Sequence, residues 1–98
     1  MAMTPEKRVK DKCRKVLDDL GASYFFPATG GFGKSGVADI VACLEGRFIA
    51  IECKAGKNKP TPLQEIYLEK VRTAGGTALV INEDNVDGLR ELLIWAMM

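Results

Sequence analysis

Near the start of the chain, Val9, Cys13, Val16, Leu17 and Leu20 recur at helical spacing with charged residues on the remaining faces. That period predicts an amphipathic helix, opened by Thr4 as N-cap with Pro5 in the first turn and closed by Gly21. The pattern then changes. Ser23 to Pro27 reads as a short strand and Ala28 to Gly36 as a glycine-rich loop. Val37 to Leu44 and Arg47 to Cys53 are dense in Val, Ile, Phe and small residues, and Glu45-Gly46 supplies the glycine of a tight reversal, so the two segments predict a β-hairpin. Thr61-Pro62-Leu63-Gln64 carries the capping-box pattern. It opens a second helix whose expected core face is Leu63, Ile66, Tyr67, Val71 and Ala74 and whose end is Gly75-Gly76. Thr77 to Ile81 is an almost unbroken apolar run, as in a strand buried on both faces. A last helix is expected from about Val86, capped by Asp84 or Asn85, with Leu89, Leu92, Leu93 and Ala96 inward and Trp95, Met97 and Met98 at its margin. The order α, β, β, β, α, β, α predicts an α/β fold, a mixed sheet flanked by helices.

The hairpin gathers the candidate chemistry. With the two-residue loop Glu45-Gly46, Leu44 faces Arg47 and Asp39 faces Glu52, and period 2 puts Lys54 on the same face as Glu52. Two ionised carboxylates about 5 Å apart at an effective dielectric near 20 repel by about 3 kcal/mol. An ordinary strand pair has little reason to tolerate that. A divalent cation removes the objection, since Asp and Glu oxygens are the hard ligands Mg²⁺ favours, one or two carboxylates with waters and substrate phosphate completing the shell. The alternative is a solvated sheet face with Lys54 as salt-bridge partner. Against it, Asp39 interrupts Val-Ala-Asp-Ile-Val-Ala, where an unpartnered carboxylate is costly to bury.

Composition narrows the chemistry further. The chain has 98 residues, 47% hydrophobic and 28% charged, which fits one globular domain and not a disordered segment. It has no histidine, so catalysis by a His base or at a His-ligated metal is excluded. Cys13, Cys43 and Cys53 are odd in number and lack Cys-x-x-Cys spacing, which argues against a disulfide framework and a zinc site and for buried free thiols in a reducing cytosol. No apolar run reaches membrane-spanning length, and the charged start lacks the apolar core of an export signal. The net charge is +1, yet residues 1 to 59 carry 11 positive and 7 negative side chains against 3 and 6 in the remainder. The hairpin therefore sits in the basic half. Ala28-Thr-Gly-Gly-Phe-Gly33-Lys34-Ser35 falls one residue short of a phosphate-binding P-loop and leads into a strand pattern, not a helix, so no nucleotide cofactor is expected. Lys34 and Ser35, and Lys57 and Lys59 after the second hairpin strand, are instead candidate contacts to a nucleic-acid backbone.

Asp39, twelve intervening residues and Glu52-Cys53-Lys54 resemble the PD-(D/E)xK nuclease signature. The whole chain resembles the VRR-NUC (virus-type replication-repair nuclease) branch of that superfamily, in its stand-alone phage or bacterial form. The likeness extends to Glu6 on the upstream helix, to Gly-Lys-Ser-Gly-Val-Ala-Asp before the strand and to Pro-Thr-Pro-Leu-Gln at the second helix; Ala38 stands where the superfamily name has Pro. The resemblance implies a restriction-endonuclease-like αβββαβ core with a four-stranded mixed sheet and an added C-terminal helix, residues 1 to 98 forming a single nuclease domain. It implies Mg²⁺ or Mn²⁺ held by Asp39, Glu52 and the Cys53 carbonyl, Lys54 orienting or activating the water, and a cut leaving a 5′-phosphate. Glu6 is either an acid favoured by the helix dipole or a further metal contact, directly or through water. Gln64 is either a cap alone or an active-site residue; exonuclease relatives often place a Tyr four residues on, whereas here Tyr67 is three on and Leu68 holds the fourth place. The implied protein is a cytoplasmic, structure-specific DNA endonuclease acting as a homodimer on four-way junctions. The rivals are a flap, nicking or RNA-processing nuclease and a non-catalytic DNA-binding module on a nuclease scaffold.

Overall fold

A computed structural model describes residues 3–28 and 36–98. Helix α1 (Pro5–Leu20) starts where Thr4 Oγ1 accepts the Lys7 N–H at 3.2 Å. It stops at Gly21, whose φ of 79° is the left-handed conformation that lets the Gly21 and Ala22 amides return to Asp18 and Leu17. Val9, Cys13 and Leu17, one turn apart, are its buried stripe.

Four strands follow the α1 stripe: β1 (Ser23–Phe25), β2 (Ile40–Leu44), β3 (Arg47–Cys53) and β4 (Thr77–Ile81), in the spatial order β1-β2-β3-β4. The first three are antiparallel, and β4 lies parallel to β3. That parallel step is made by the crossover helix α2 (Pro62–Thr73). Glu45 and Gly46 both take positive φ, 50° and 79°, the geometry of a two-residue hairpin whose twist matches its strands. Leu44 therefore pairs with Arg47 and Ile40 with Ile51, the register expected from the loop.

The sheet separates two apolar layers. On one side Ile40, Ala42, Leu44, Ile49, Ile51, Cys53 and Ile81 meet Val9, Cys13 and Leu17 of α1 and Leu89 and Leu93 of the C-terminal helix α3 (Leu89–Ala96). On the other, Ala38, Ala50 and Ala78 form a shallow floor on which Leu68 and Val71 of α2 rest. Glu52 lies two residues after Ala50 and so shares its face, toward the α2 side. A mixed four-stranded sheet flanked by helices, with a C-terminal helix, is the expected class.

Several details differ from the sequence expectations. β2 begins at Ile40 and not Val37, and β1 ends at Phe25 and not Pro27. In α2 the core face is Leu68 and Val71 with Tyr67 beside it, while Leu63 and Ile66 are exposed; the alanine floor sits beneath the 67/68/71 stripe. Val86–Gly88 forms a 3-10 turn before α3, and no side chain caps it. Asn85 instead accepts the Asn82 N–H through Oδ1 and donates to the Val80 carbonyl. Leu92 is exposed. Of the three thiols, Cys13 and Cys53 are buried but Cys43 is exposed. β4 is only partly covered, with Ala78 and Ile81 its buried residues. No helix among the described residues is long and apolar enough to cross a membrane.

Candidate active site

Glu52 occupies the next-to-last position of β3 and is 1% exposed. Its Oε2 lies 3.3 Å from Lys54 Nζ, the neighbour that period 2 places on the same face. Its Oε1 is buried with no hydrogen-bond partner. Burial, and then the negative charge of Asp39, push the carboxyl up from 4.5 to about 7 against the opposing pull of Lys54. A buried oxygen left without a donor is costly. It is therefore the mark of a site shaped for something other than packing.

Asp39 sits one step before Ile40, the first paired residue of β2, so it lies just outside the ladder. Gly36, at φ 82°, lies so near the α2 N-terminus that a Cβ there would come within 2.8 Å of the Leu63 carbonyl group. The chain is thereby steered away from the strand path until Ile40. The Cys53 N–H, on the β2 side of β3, consequently has the Asp39 carboxylate as its acceptor, Oδ2 at 2.8 Å. The Lys54 N–H, on the opposite side, bonds to the Ile81 carbonyl at 2.9 Å. Asp39 Oδ1 faces α1, 3.8 Å from Lys10 Nζ. Two carboxylates and two ammonium groups thus converge where the hairpin strands part.

A solved structure described as a VRR_NUC domain superposes on 91% of this chain and 97% of its own, with a TM-score of 0.76 and 26% identical residues. In fold the chain is similar to the VRR-NUC domain, as the sequence resemblance implies. No family model matches the sequence, and no curated protein matches it. The likeness is carried by the shared three-dimensional arrangement, consistent with a restriction-endonuclease-like core.

The remaining candidate residues fall into three groups. Glu6 is exposed in the first turn of α1, one turn before Lys10 on the same side of the helix. No group of three His, Cys, Asp or Glu side chains converges among the described residues, so Glu6 is not gathered with Asp39 and Glu52. Gln64 closes the α2 capping box, its Oε1 accepting the Thr61 N–H at 2.8 Å. That acceptor is committed to the helix end. Lys57 and Lys59 are exposed in the loop after Lys54, which Glu83 ties down by accepting the Gly56 N–H at 2.8 Å. Lys34 and Ser35 lie outside the described residues.

Lys10 is the site contact that sequence reasoning left among six basic residues of α1. Its one distinguishing signal is position. Lys10 precedes the buried Cys13 by three residues and so borders the core stripe. Cys13 Sγ rests 4.0 Å from Cys53 Sγ, and that contact sets α1 against the end of β3. The neighbouring Cys13 thiol and burial hold the Cys53 thiol above its ordinary value, which makes it an inert packing group.

Proposed function

We propose that this nuclease hydrolyses DNA phosphodiesters with Mg²⁺ or Mn²⁺, as a structure-specific endonuclease working as a homodimer on branched DNA, four-way junctions in particular. The likeness to a VRR_NUC domain, with Asp39, Glu52 and Lys54 in the motif order, supports a nuclease of the PD-(D/E)xK type. The single observation that carries the catalytic reading is the buried Glu52 Oε1 without a hydrogen-bond partner, on a carboxyl whose other oxygen meets Lys54.

The donor set fits a hard divalent cation, because oxygen ligands from two carboxylates, with waters and a substrate phosphate completing the shell, are what Mg²⁺ takes. Asp39, Glu52 and the Cys53 carbonyl are the groups that would hold it. When bound, such an ion supplies charge neutralisation at the phosphate and eases deprotonation of the attacking water. The chain's own groups do the rest. Lys54, fixed by Glu52 at 3.3 Å, presents an ammonium to the attacking water or a non-bridging phosphate oxygen and stabilises the charge that develops there. Lys10 holds Asp39 from the α1 side. Water oxygen bonds to phosphorus and the P–O3′ bond breaks, giving a 3′-hydroxyl and a 5′-phosphate.

A second copy is supported by the apolar side chains that the isolated chain leaves uncovered, Leu63 and Ile66 on α2 and Leu92 and Trp95 on α3. Two sites related by a two-fold axis suit the two symmetric cuts of a junction. Labelled four-way junction, flap, duplex, single-stranded DNA and RNA, each with Mg²⁺, Mn²⁺ or chelator, test the reading. Asp39→Ala and Glu52→Ala are expected to abolish metal-dependent cutting with the far-ultraviolet spectrum unchanged, and undiminished cutting by either rejects the assignment. Sedimentation at micromolar concentration is expected to give twice the chain mass; a monomer would remove the basis for junction cutting.

A further inference from the structure

Phe26 follows β1 directly, and its ring is 40% exposed. One contact fixes its attitude: Tyr24 meets it edge to face, ring centres 6.0 Å apart and planes at 86°. Tyr24 is itself anchored, its hydroxyl donating to Asp18 Oδ1 at 2.7 Å. Two cations from successive turns of α1 lie over the ring. Lys10 Nζ is 6.0 Å and the Arg14 guanidinium carbon 5.9 Å from the ring centre. The same Lys10 ammonium reaches Asp39. Because both distances meet at one atom, the ring centre lies no more than about 10 Å from the Asp39 carboxylate oxygen, about three base steps at about 3.4 Å each.

A partly exposed aromatic ring, braced against turning and backed by Lys and Arg, leaves its remaining surface for a base, the construction that single-stranded nucleic acid favours. A base lies on the ring, and the flanking phosphates meet the cations. Lys7, one turn before Lys10, extends this basic edge of α1. A base inside a duplex offers only its edges and cannot lie on such a ring without leaving the stack. We infer that Phe26, with Arg14 and Lys10, forms a stacking platform for one unpaired nucleotide within about three base steps of the scissile phosphate. The site thereby takes DNA carrying a single-stranded or splayed segment there, as at the branch point of a flap or junction. The inference rests on the nuclease reading for where the scissile phosphate lies, not for the stacking itself.

The probes are a flap and a four-way junction with 2-aminopurine at the unpaired or branch-point position, a single strand with the same base, and the fully paired duplex, all in chelator so that nothing is cut. Wild type and Phe26→Trp are expected to quench 2-aminopurine emission, and Phe26→Leu, which keeps apolar bulk without a stacking face, is not. Phe26→Leu is expected to weaken binding of the branched and single-stranded probes about five- to a hundredfold, with a much smaller change for the duplex. A melting curve for each variant reports folding. Binding and quenching by Phe26→Leu equal to wild type, or equal losses on duplex and single strand, would overturn the platform. Quenching in a protein that cuts no substrate would leave the platform standing and remove the nuclease reading. Cutting that depends on Asp39 but is indifferent to Phe26→Leu would do the reverse.

Discussion

Glu52→Gln separates the cost of the buried carboxylate from the rest of the fold. In the folded chain the carboxyl titrates at about 7 instead of 4.5, so the native state binds its proton more tightly than the unfolded chain does. By linkage, its contribution to stability is complete below pH 4.5 and is lost as pH rises through about 7. At about 1.4 kcal/mol per pH unit the loss is about 3 kcal/mol, a large share of the roughly 5 to 15 kcal/mol that holds a typical domain together. Gln cannot ionise, yet keeps an amide oxygen for Lys54. Urea unfolding of both proteins in chelator from pH 4.5 to 8, followed by far-ultraviolet circular dichroism because Trp95 is 75% exposed and reports folding poorly, gives the difference directly. Titrations common to both cancel. The Glu52→Gln protein is expected to gain about 3 kcal/mol on wild type across that interval. Mg²⁺ at pH 8 is expected to restore wild type and leave the variant unmoved, because only the ionised site binds the cation. A difference that stays constant with pH would refute the claim that Glu52 is held desolvated beside Asp39.

Gly36→Ala combines a left-handed backbone with a collision against Leu63, and it is expected to cost about 2–4 kcal/mol by urea midpoint at constant m-value. Gly21→Ala, at φ 79° with no atom within 4 Å, pays the backbone cost alone, about 1–2 kcal/mol; equal losses at the two positions would show that the contact with α2 does not hold Asp39 in place. Lys10→Met removes a cation 3.8 Å from Asp39, and since partly exposed charge pairs contribute up to about 1 kcal/mol, half-maximal cutting is expected at two- to fivefold lower Mg²⁺. An unchanged Mg²⁺ midpoint would mean that Lys10 does not act on Asp39.

The hairpin was legible because its register is decided locally. Glu45-Gly46 fix a two-residue loop, the loop fixes the pairing of Leu44 with Arg47, and the pairing carries the acids to the same end of the sheet. What the sequence hid was decided by contacts between distant segments. Val37-Ala38-Asp39 continues a strand pattern, but the chain joins β2 only at Ile40 because Gly36 is pressed against Leu63. The apolar residues of α2 admit two overlapping stripes, and the alanine floor of the sheet selects the one containing Leu68, which leaves Leu63 and Ile66 outside. Lys10 differs from its basic neighbours only through the docking of Cys13 on Cys53.

These non-local choices share one physical consequence. Had β2 run on to Val37, a backbone carbonyl would lie where the Cys53 N–H now finds Asp39, and the acid would be an ordinary strand residue. The early departure of the strand instead makes the carboxylate the last rung of the ladder. It fixes one Asp39 oxygen by a backbone amide while leaving the other turned toward α1. Glu52, one residue before that amide, is buried and keeps an oxygen that nothing in the described chain satisfies. The fold thus leaves acceptor capacity at the place where its strands part, and basic side chains from α1 and β3 surround it. That combination serves packing poorly, and it is the acceptor-rich, basic setting that the proposed cation and its phosphate would need.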